Sequence, residues 1–224
     1  MEALEAEVVE VLEQADQADA GMLWTGGKDS MVMLDLYRRH IGDQPPLLVV
    51  DTTVQFEEIY DFRERIADEW DLEYNVRSNE WFIEEALTNP ADERDFAWDG
   101  PKTEGCCGAL KIDVIGDFIA QDGFDHLTVG RRSADVPGEL PLVDAEMREP
   151  MPHTRYYPLA NWSDAHIGAY LTKHSVPLPS LYDEGYEHTD CEPCVRKGEE
   201  GDDWSGASPE QRQQLQELRD MGYM

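Results

Sequence analysis

Apolar residues recur along the chain with two periods, and the switches between them mark out its elements. Leu4, Val8, Val11, Leu12 and Ala15 form one helical stripe on an acidic background over residues 2–18. "GMLWT" (21–25) is a short apolar run bounded by glycines and predicts a buried strand; Asp29-Ser30 then opens a helix to about Tyr37, with Met31, Leu34 and Leu36 inside. "PLLVVDTT" (46–53) predicts a second buried strand, 56–70 a helix, 72–77 an alternating third strand and 80–87 a short helix. A loop rich in Pro, Asp and Gly to about residue 105 precedes a helix over 107–121 and a strand, "HLTVG", at 126–130. Residues 131–155 read as a long loop. Ser163 is a candidate N-cap for a helix over 163–174, and Ser208, Pro209 and Gln211 form a capping-box variant at the start of a last helix.

The order β-α-β-α-β-α-α-β calls for right-handed crossovers, so the expected fold is α/β: one Rossmann-like domain with a mostly parallel twisted sheet and helices on both faces. The division expected is a nucleotide-binding domain over 1–200 and a linker with a C-terminal helix over 201–224. In such a sheet ligands lie outside the carboxyl ends of the strands. That rim carries Thr25 to Ser30, Asp51 to Thr53, and Gly130 to Ser133.

Charge changes the picture of the surroundings more than of the fold. The 224 residues hold 49 acids against 18 Lys and Arg, a net charge of −31, with the acids spread along the whole chain. An even acidic coat suits molar salt, where the screening length falls to about 3 Å, so the chain reads as a halophile's protein. The same field disfavours nucleic-acid binding through a general basic patch. No apolar run approaches the roughly 20 residues of a membrane span, and the acidic first 20 residues do not resemble a signal peptide, so the expected location is the cytoplasm.

"TGGKDS" (25–30) joins a strand to a helix N-terminus. Such a junction binds anions, because glycines let the backbone approach, amides point inward, and the helix dipole favours negative charge. Lys28 adds a charge and Ser30 a hydroxyl; the spacing is not that of a Walker A loop. A tight turn with a capping serine is the plainer alternative.

The six residues closely resemble the "SGGKDS" pyrophosphate loop of the PP-loop ATP pyrophosphatases, whose fold is of the adenine nucleotide alpha hydrolase type. Further on, "VVDTTVQFEEIYDF" (49–62) and "VGRRSAD" (129–135) resemble segments of the phosphoadenylyl-sulfate and adenylyl-sulfate reductase family. So does "YYPLANWSDAHIGAYLTKHSVPLPSLYDEGYEHTDCEPCVRKG". The four matches stand in the family's order over about residues 20–200. The resemblance implies that Gly26, Gly27 and Ser30 cradle phosphates, with Thr25 in the same loop. It further implies that Lys28 stabilises the leaving pyrophosphate, that Asp29 helps hold Mg²⁺, and that Asp51, Thr53 and Gly130 lie near the nucleotide. Arg131 and Arg132 would face its far anionic end.

The four cysteines are two pairs, Cys106-Cys107 and Cys191-x-x-Cys194, which in a cytoplasmic chain favour a metal centre over disulfides. Structural zinc is one reading, although adjacent cysteines are an awkward zinc knuckle and suit a multi-iron cube better. Resemblance to the reductase subset with K-x-x-C-C and C-x-P-C implies a [4Fe–4S] cluster on these four, with Lys102 and Lys111 flanking. The reductases attack with a thiolate in an E-C-G-L-H-like segment, which "LQELRDMGYM" does not match. Lys28 and Asp29 stand as in ATP-cleaving relatives.

Three functions are therefore expected to compete. The first is cleavage of ATP to AMP and pyrophosphate to activate a substrate for sulfur transfer, with a sulfur donor and an acceptor that could be nucleic acid. The second is reduction of adenylyl sulfate or phosphoadenylyl sulfate with an external thiol carrier. The third is a non-catalytic nucleotide-binding subunit held by zinc. No oligomeric state is implied. None of the histidines is assigned a role, and Trp24, Trp81, Trp98 and Trp162 are expected to pack in the core or loops.

Overall fold

A computed structural model describes residues 2–82, 107–136, 139–144, 152–192 and 195. The chain order is α1 (Glu2–Gln17), β1 (Gly21–Leu23), α2 (Lys28–His40), β2 (Leu47–Val50), α3 (Glu57–Trp70) and β3 (Tyr74–Arg77). Then come a π-helical turn (Gly108–Ile112), α4 (Asp113–Ala120), β4 (His126–Thr128), β5 (Val143–Asp144), β6 (Thr154–Tyr156) and α5 (Asp164–His174). The strands form one six-stranded sheet in the order β3-β2-β1-β4-β6-β5. All pairs are parallel except the edge pair β5–β6.

Register follows from burial on both sides of the sheet. On one face Leu47 and Val49 of β2 join Met22 of β1 and buried residues of α1, α2, α3 and α5 in the main core. On the other, Leu48 of β2 and Leu127 of β4 pack against Val114, Phe118 and Ile119 of α4. A strand covered on both faces has no polar alternation to show, which is why β2 appears as a continuous apolar run. Trp24 and Trp162 are fully buried as expected, whereas Trp81 is 67% exposed; Trp98 lies outside the described residues.

Two strands occupy the stretch expected to be a long loop. β6 adds to β4 in parallel, through Leu127 opposite Arg155, and β5 returns antiparallel at the edge. Each is too short, and too mixed in polarity, to carry a period of its own; the pairing partner supplies the signal. Only 80–82 of the helix expected over 80–87, and none of the helix expected from Ser208, falls among the described residues. Ser163 does cap α5: its side chain accepts from the His166 amide and His166 Nδ1 accepts from the Ser163 amide. No helix among the described residues is long and apolar enough to cross a membrane.

The strand order reverses between β1 and β4. Such a switch point opens a crevice beyond the carboxyl ends of the two strands, where α/β sheets bind ligands. The first strand leads there into 25–30 and the fourth into 130–133.

Leu48 is fully buried between β1, β4 and α4, so Leu48→Ala should destabilise the fold by about 2–5 kcal/mol. Val76→Thr, at a half-exposed site on the edge strand β3, should stay within about 0.5 kcal/mol. Urea unfolding monitored by tryptophan fluorescence would show both.

Candidate functional site

The turn from β1 to α2 is built by local hydrogen bonds and one left-handed residue. Gly26 has φ +83°, and a Cβ there would stand 3.1 Å from Arg63 Cγ, so glycine is required by conformation and by space. Thr25 Oγ1 accepts from the Gly27 amide at 3.1 Å and lies 3.2 Å from Ser30 Oγ, which donates to the Gly27 carbonyl at 2.9 Å. α2 begins at Lys28 with Gly27 at its cap, one residue before the expected start. The Lys28 amide donates to the Tyr182 hydroxyl oxygen at 2.9 Å. The Asp29 and Ser30 amides, both in the first turn, find no acceptor among the described residues.

The loop after β4 is pressed onto this helix end. A Cβ on Gly130 would lie 3.4 Å from the Asp29 carbonyl carbon and the Ser30 nitrogen, so the two strand ends meet across a glycine. Arg132 follows with its side chain 2% exposed. It pairs with Asp135 (Nη2–Oδ1, 2.8 Å), with Asp164 at the start of α5 (Nη1–Oδ1, 2.9 Å) and with Asp29 (Nε–Oδ1, 3.3 Å). Burial opposes its charge, and the three carboxylates outweigh that cost and raise its pKa. The expectation placed both arginines at the anionic end of a ligand. In the structure Arg132 is paired with carboxylates of the protein, and Arg131 is the more exposed of the two.

Lys28 Nζ lies 3.2 Å from the same Asp164 oxygen. Asp29 is the electrostatic counterpart: burial pushes its carboxyl up, with Arg132 and Lys28 only partly opposing it. Its Oδ1 is buried and accepts no hydrogen bond among the described residues, being held there by the ion pair with Arg132 Nε at 3.3 Å. An acceptor oxygen left in that state fits a cation that arrives with a ligand.

Asp51 and Thr53 stand beyond the end of β2. Asp51 Oδ1 accepts from the Thr53 amide and from Tyr60 Oη, each at 2.7 Å, and this holds Thr53 at φ +59°. Arg63, 3% exposed, lies under the β1–α2 turn, donates to Gln55 Oε1 at 2.9 Å and stacks over the Tyr60 ring. Burial lowers its pKa.

Two of the four cysteines, Cys107 and Cys191, are described; Cys106 and Cys194 lie outside the described residues. Both described thiols are buried. Cys191 donates to Thr52 Oγ1 at 3.3 Å, and Gln55 and Cys191 form an isolated antiparallel bridge. Lys111, in the π-helical turn after Cys107, sits 2.6 Å from Asp190. Burial works against its charge, but Asp190 and then the Cys191 and Cys107 sulfurs outweigh it and raise its pKa. The Lys111–Asp190 pair thus joins two segments far apart in the chain, each carrying one of the cysteine pairs. Among the described residues no group of three or more metal-binding side chains is assembled.

Sequence reasoning missed Asp164, Asp135, Arg63 and Tyr182 as parts of this rim, and also Thr189, whose Oγ1 lies 3.1 Å from where a Cβ on Gly27 would stand. Tyr182 and Asp164 stand inside the long segment that carried the resemblance, so a signal existed for them. Arg63 offered none.

Because Asp29 titrates at higher pH in the fold than in the unfolded chain, its ionisation costs stability as pH rises through the folded pKa. Asp29→Asn should therefore gain on the wild type in urea unfolding on going from pH 3 to pH 7. An unchanged difference between the two pH values would contradict that burial.

Residues 20–197 match the model of the phosphoadenosine phosphosulfate reductase domain. The sulfate adenylyltransferase subunit 2 of Geotalea daltonii is 31% identical over 202 residues, which cover 81% of this chain and 67% of that protein. The adenosine 5'-phosphosulfate reductase of Halalkalibacterium halodurans is 26% identical over 188 residues, 81% of this chain and 78% of that protein. Among solved structures, the phosphoadenylyl-sulfate reductase of Candida auris superposes with a TM-score of 0.66 at 22% identity, over 83% of this chain and 88% of that one. With a mostly parallel sheet, a glycine turn at its switch point and a family match over most of its length, the chain belongs to the phosphoadenosine phosphosulfate reductase family of enzymes.

Proposed function

We propose that this enzyme binds an adenine nucleotide across the β1–α2 turn and cleaves ATP to AMP and pyrophosphate, activating a substrate for sulfur transfer. The observation that carries the reading is the pairing of opposite chemistries within one helical turn. Lys28 and the amides of Asp29 and Ser30, which have no acceptor among the described residues, suit phosphate oxygens, while the buried Asp29 carboxylate, whose Oδ1 accepts no hydrogen bond there, suits the cation that accompanies them. The similarity to sulfate adenylyltransferase subunit 2 supports nucleotide cleavage and a partner subunit.

In this mechanism an oxygen of the acceptor attacks the α-phosphorus and the bond to the β-phosphate breaks, so negative charge grows on the departing pyrophosphate. Lys28 and the first-turn amides are fixed before the reaction and stabilise that charge without reorganising. Asp29 would hold Mg²⁺, which when bound neutralises charge on the phosphate oxygens. Asp51 and Thr53, on the other side of β1, would border the nucleoside, and Arg131 would reach the substrate's anionic end.

The second reading, reduction of adenylyl sulfate or phosphoadenylyl sulfate to sulfite with an external thiol carrier as nucleophile and electron donor, is favoured by the cysteine site. Cys107 and Cys191 are buried in two segments joined by the Lys111–Asp190 pair, and a cation in such a place favours thiolates. Cys106, Cys107, Cys191 and Cys194 would together hold a [4Fe–4S] cluster or zinc.

Lys28→Ala should lower pyrophosphate release from ATP by about tenfold to a hundredfold, the range of one lost charge-assisted phosphate contact. Equal rates in mutant and wild type would remove the turn from the chemistry. Anaerobically purified protein should be brown and carry close to four irons per chain, and Cys191→Ser should bleach it. Colourless protein holding one zinc would assign the four cysteines to a structural clasp.

A further inference from the structure

The phosphate site carries more acid than base. Lys28 and Arg132 are surrounded by Asp29, Asp135 and Asp164, which leaves the group one charge negative where an anion has to bind. The three carboxylates are not held alike. Asp29 and Asp135 side chains are 25% and 35% exposed, but Asp164 is 72% exposed.

One oxygen of Asp164, Oδ1, takes both Lys28 Nζ at 3.2 Å and Arg132 Nη1 at 2.9 Å. Bridging an ammonium and a guanidinium is what a phosphate oxygen does. Asp164 is also the first residue of α5, directly after its Ser163 cap. A carboxylate there stays favourable at the helix N-terminus even without Lys28, so it has a place to rest when displaced.

We propose that Asp164 is a built-in competitor for the phosphates. In the free enzyme it occupies the inner faces of Lys28 and Arg132, and an arriving polyphosphate displaces it from Lys28. Its charge therefore sets nucleotide affinity. Asp164 acts through Lys28 and is a positioning residue. The inference rests on the reading of the β1–α2 turn as a phosphate site. Supporting it, burial works against the Asp164 carboxylate, but Arg132 and Lys28 outweigh that and hold it below the usual range, so it is ionised wherever the enzyme works.

Titration calorimetry of the full chain with inorganic pyrophosphate as the probe tests it. Asp164→Asn should bind about 1.5-fold to fivefold more tightly than wild type, the range of an exposed ion pair. Asp164→Glu, which keeps the charge, should match wild type. Glu64→Gln, which removes one charge from an exposed position of α3, should also match it. With ATP, Asp164→Asn should lower KM without raising kcat, because the competition acts on the ground state. Unchanged or weaker pyrophosphate binding by Asp164→Asn, with binding lost in Lys28→Ala, would overturn the competitor and leave the phosphate site standing. Equal tightening in Glu64→Gln would reduce the effect to overall charge and overturn it too. No saturable binding by any form would overturn both the competitor and the phosphate site.

Discussion

A single buried guanidinium holds the functional end of the sheet together. Taking an ion out of water costs several kcal/mol even after relaxation, and the loss is recovered only where geometry and partners are good. Arg132 recovers it with carboxylates from three places: its own turn, the first turn of α2, and the first residue of α5. Because the charge cannot be left half-paired, those three segments have to arrive together. The N-terminus of α2, and with it Lys28 and the amides of Asp29 and Ser30, is fixed by the same requirement.

A second set of contacts ties the phosphate turn to the cysteines. Tyr182 accepts from the Lys28 amide, and Thr189 Oγ1 lies 3.1 Å from where a Gly27 side chain would begin. Two residues after Thr189 comes Cys191, paired with Gln55, which in turn accepts from Arg63 beneath Gly26. The turn is therefore packed from above by the segment that carries one cysteine pair, and from below by an arginine bonded to that segment's bridge partner. Whatever fixes Cys191 also limits how far Tyr182 and Thr189 can move from the phosphate turn.

What the sequence reveals divides by distance along the chain. β1, β2 and β4 are legible because a strand buried on both faces is a run of apolar residues, and "TGGKDS" is legible because its chemistry is local. Ser163 is legible for the same reason, since a cap and its partner are three residues apart. β5 and β6 are not, since a two- or three-residue strand is specified by the neighbour it pairs with. The pairing of Arg132 with Asp164 is not legible either, because the two are 32 residues apart. Lys28 and Asp164 are 136 residues apart, and nothing local in either signals the other. Trp81 shows the converse: a large apolar side chain suggests packing, yet it stands exposed beyond the edge strand.

The central claim is that the N-terminus of α2 takes the phosphates of an adenine nucleotide. Amide hydrogen exchange measured with and without ATP and magnesium tests it most directly, because the amides of Asp29 and Ser30 have no acceptor among the described residues to slow them. Slowed exchange over residues 26–31, lost on replacing Lys28 by alanine, is the predicted result. Unchanged exchange there, with protection appearing only at other strand ends, would contradict the account.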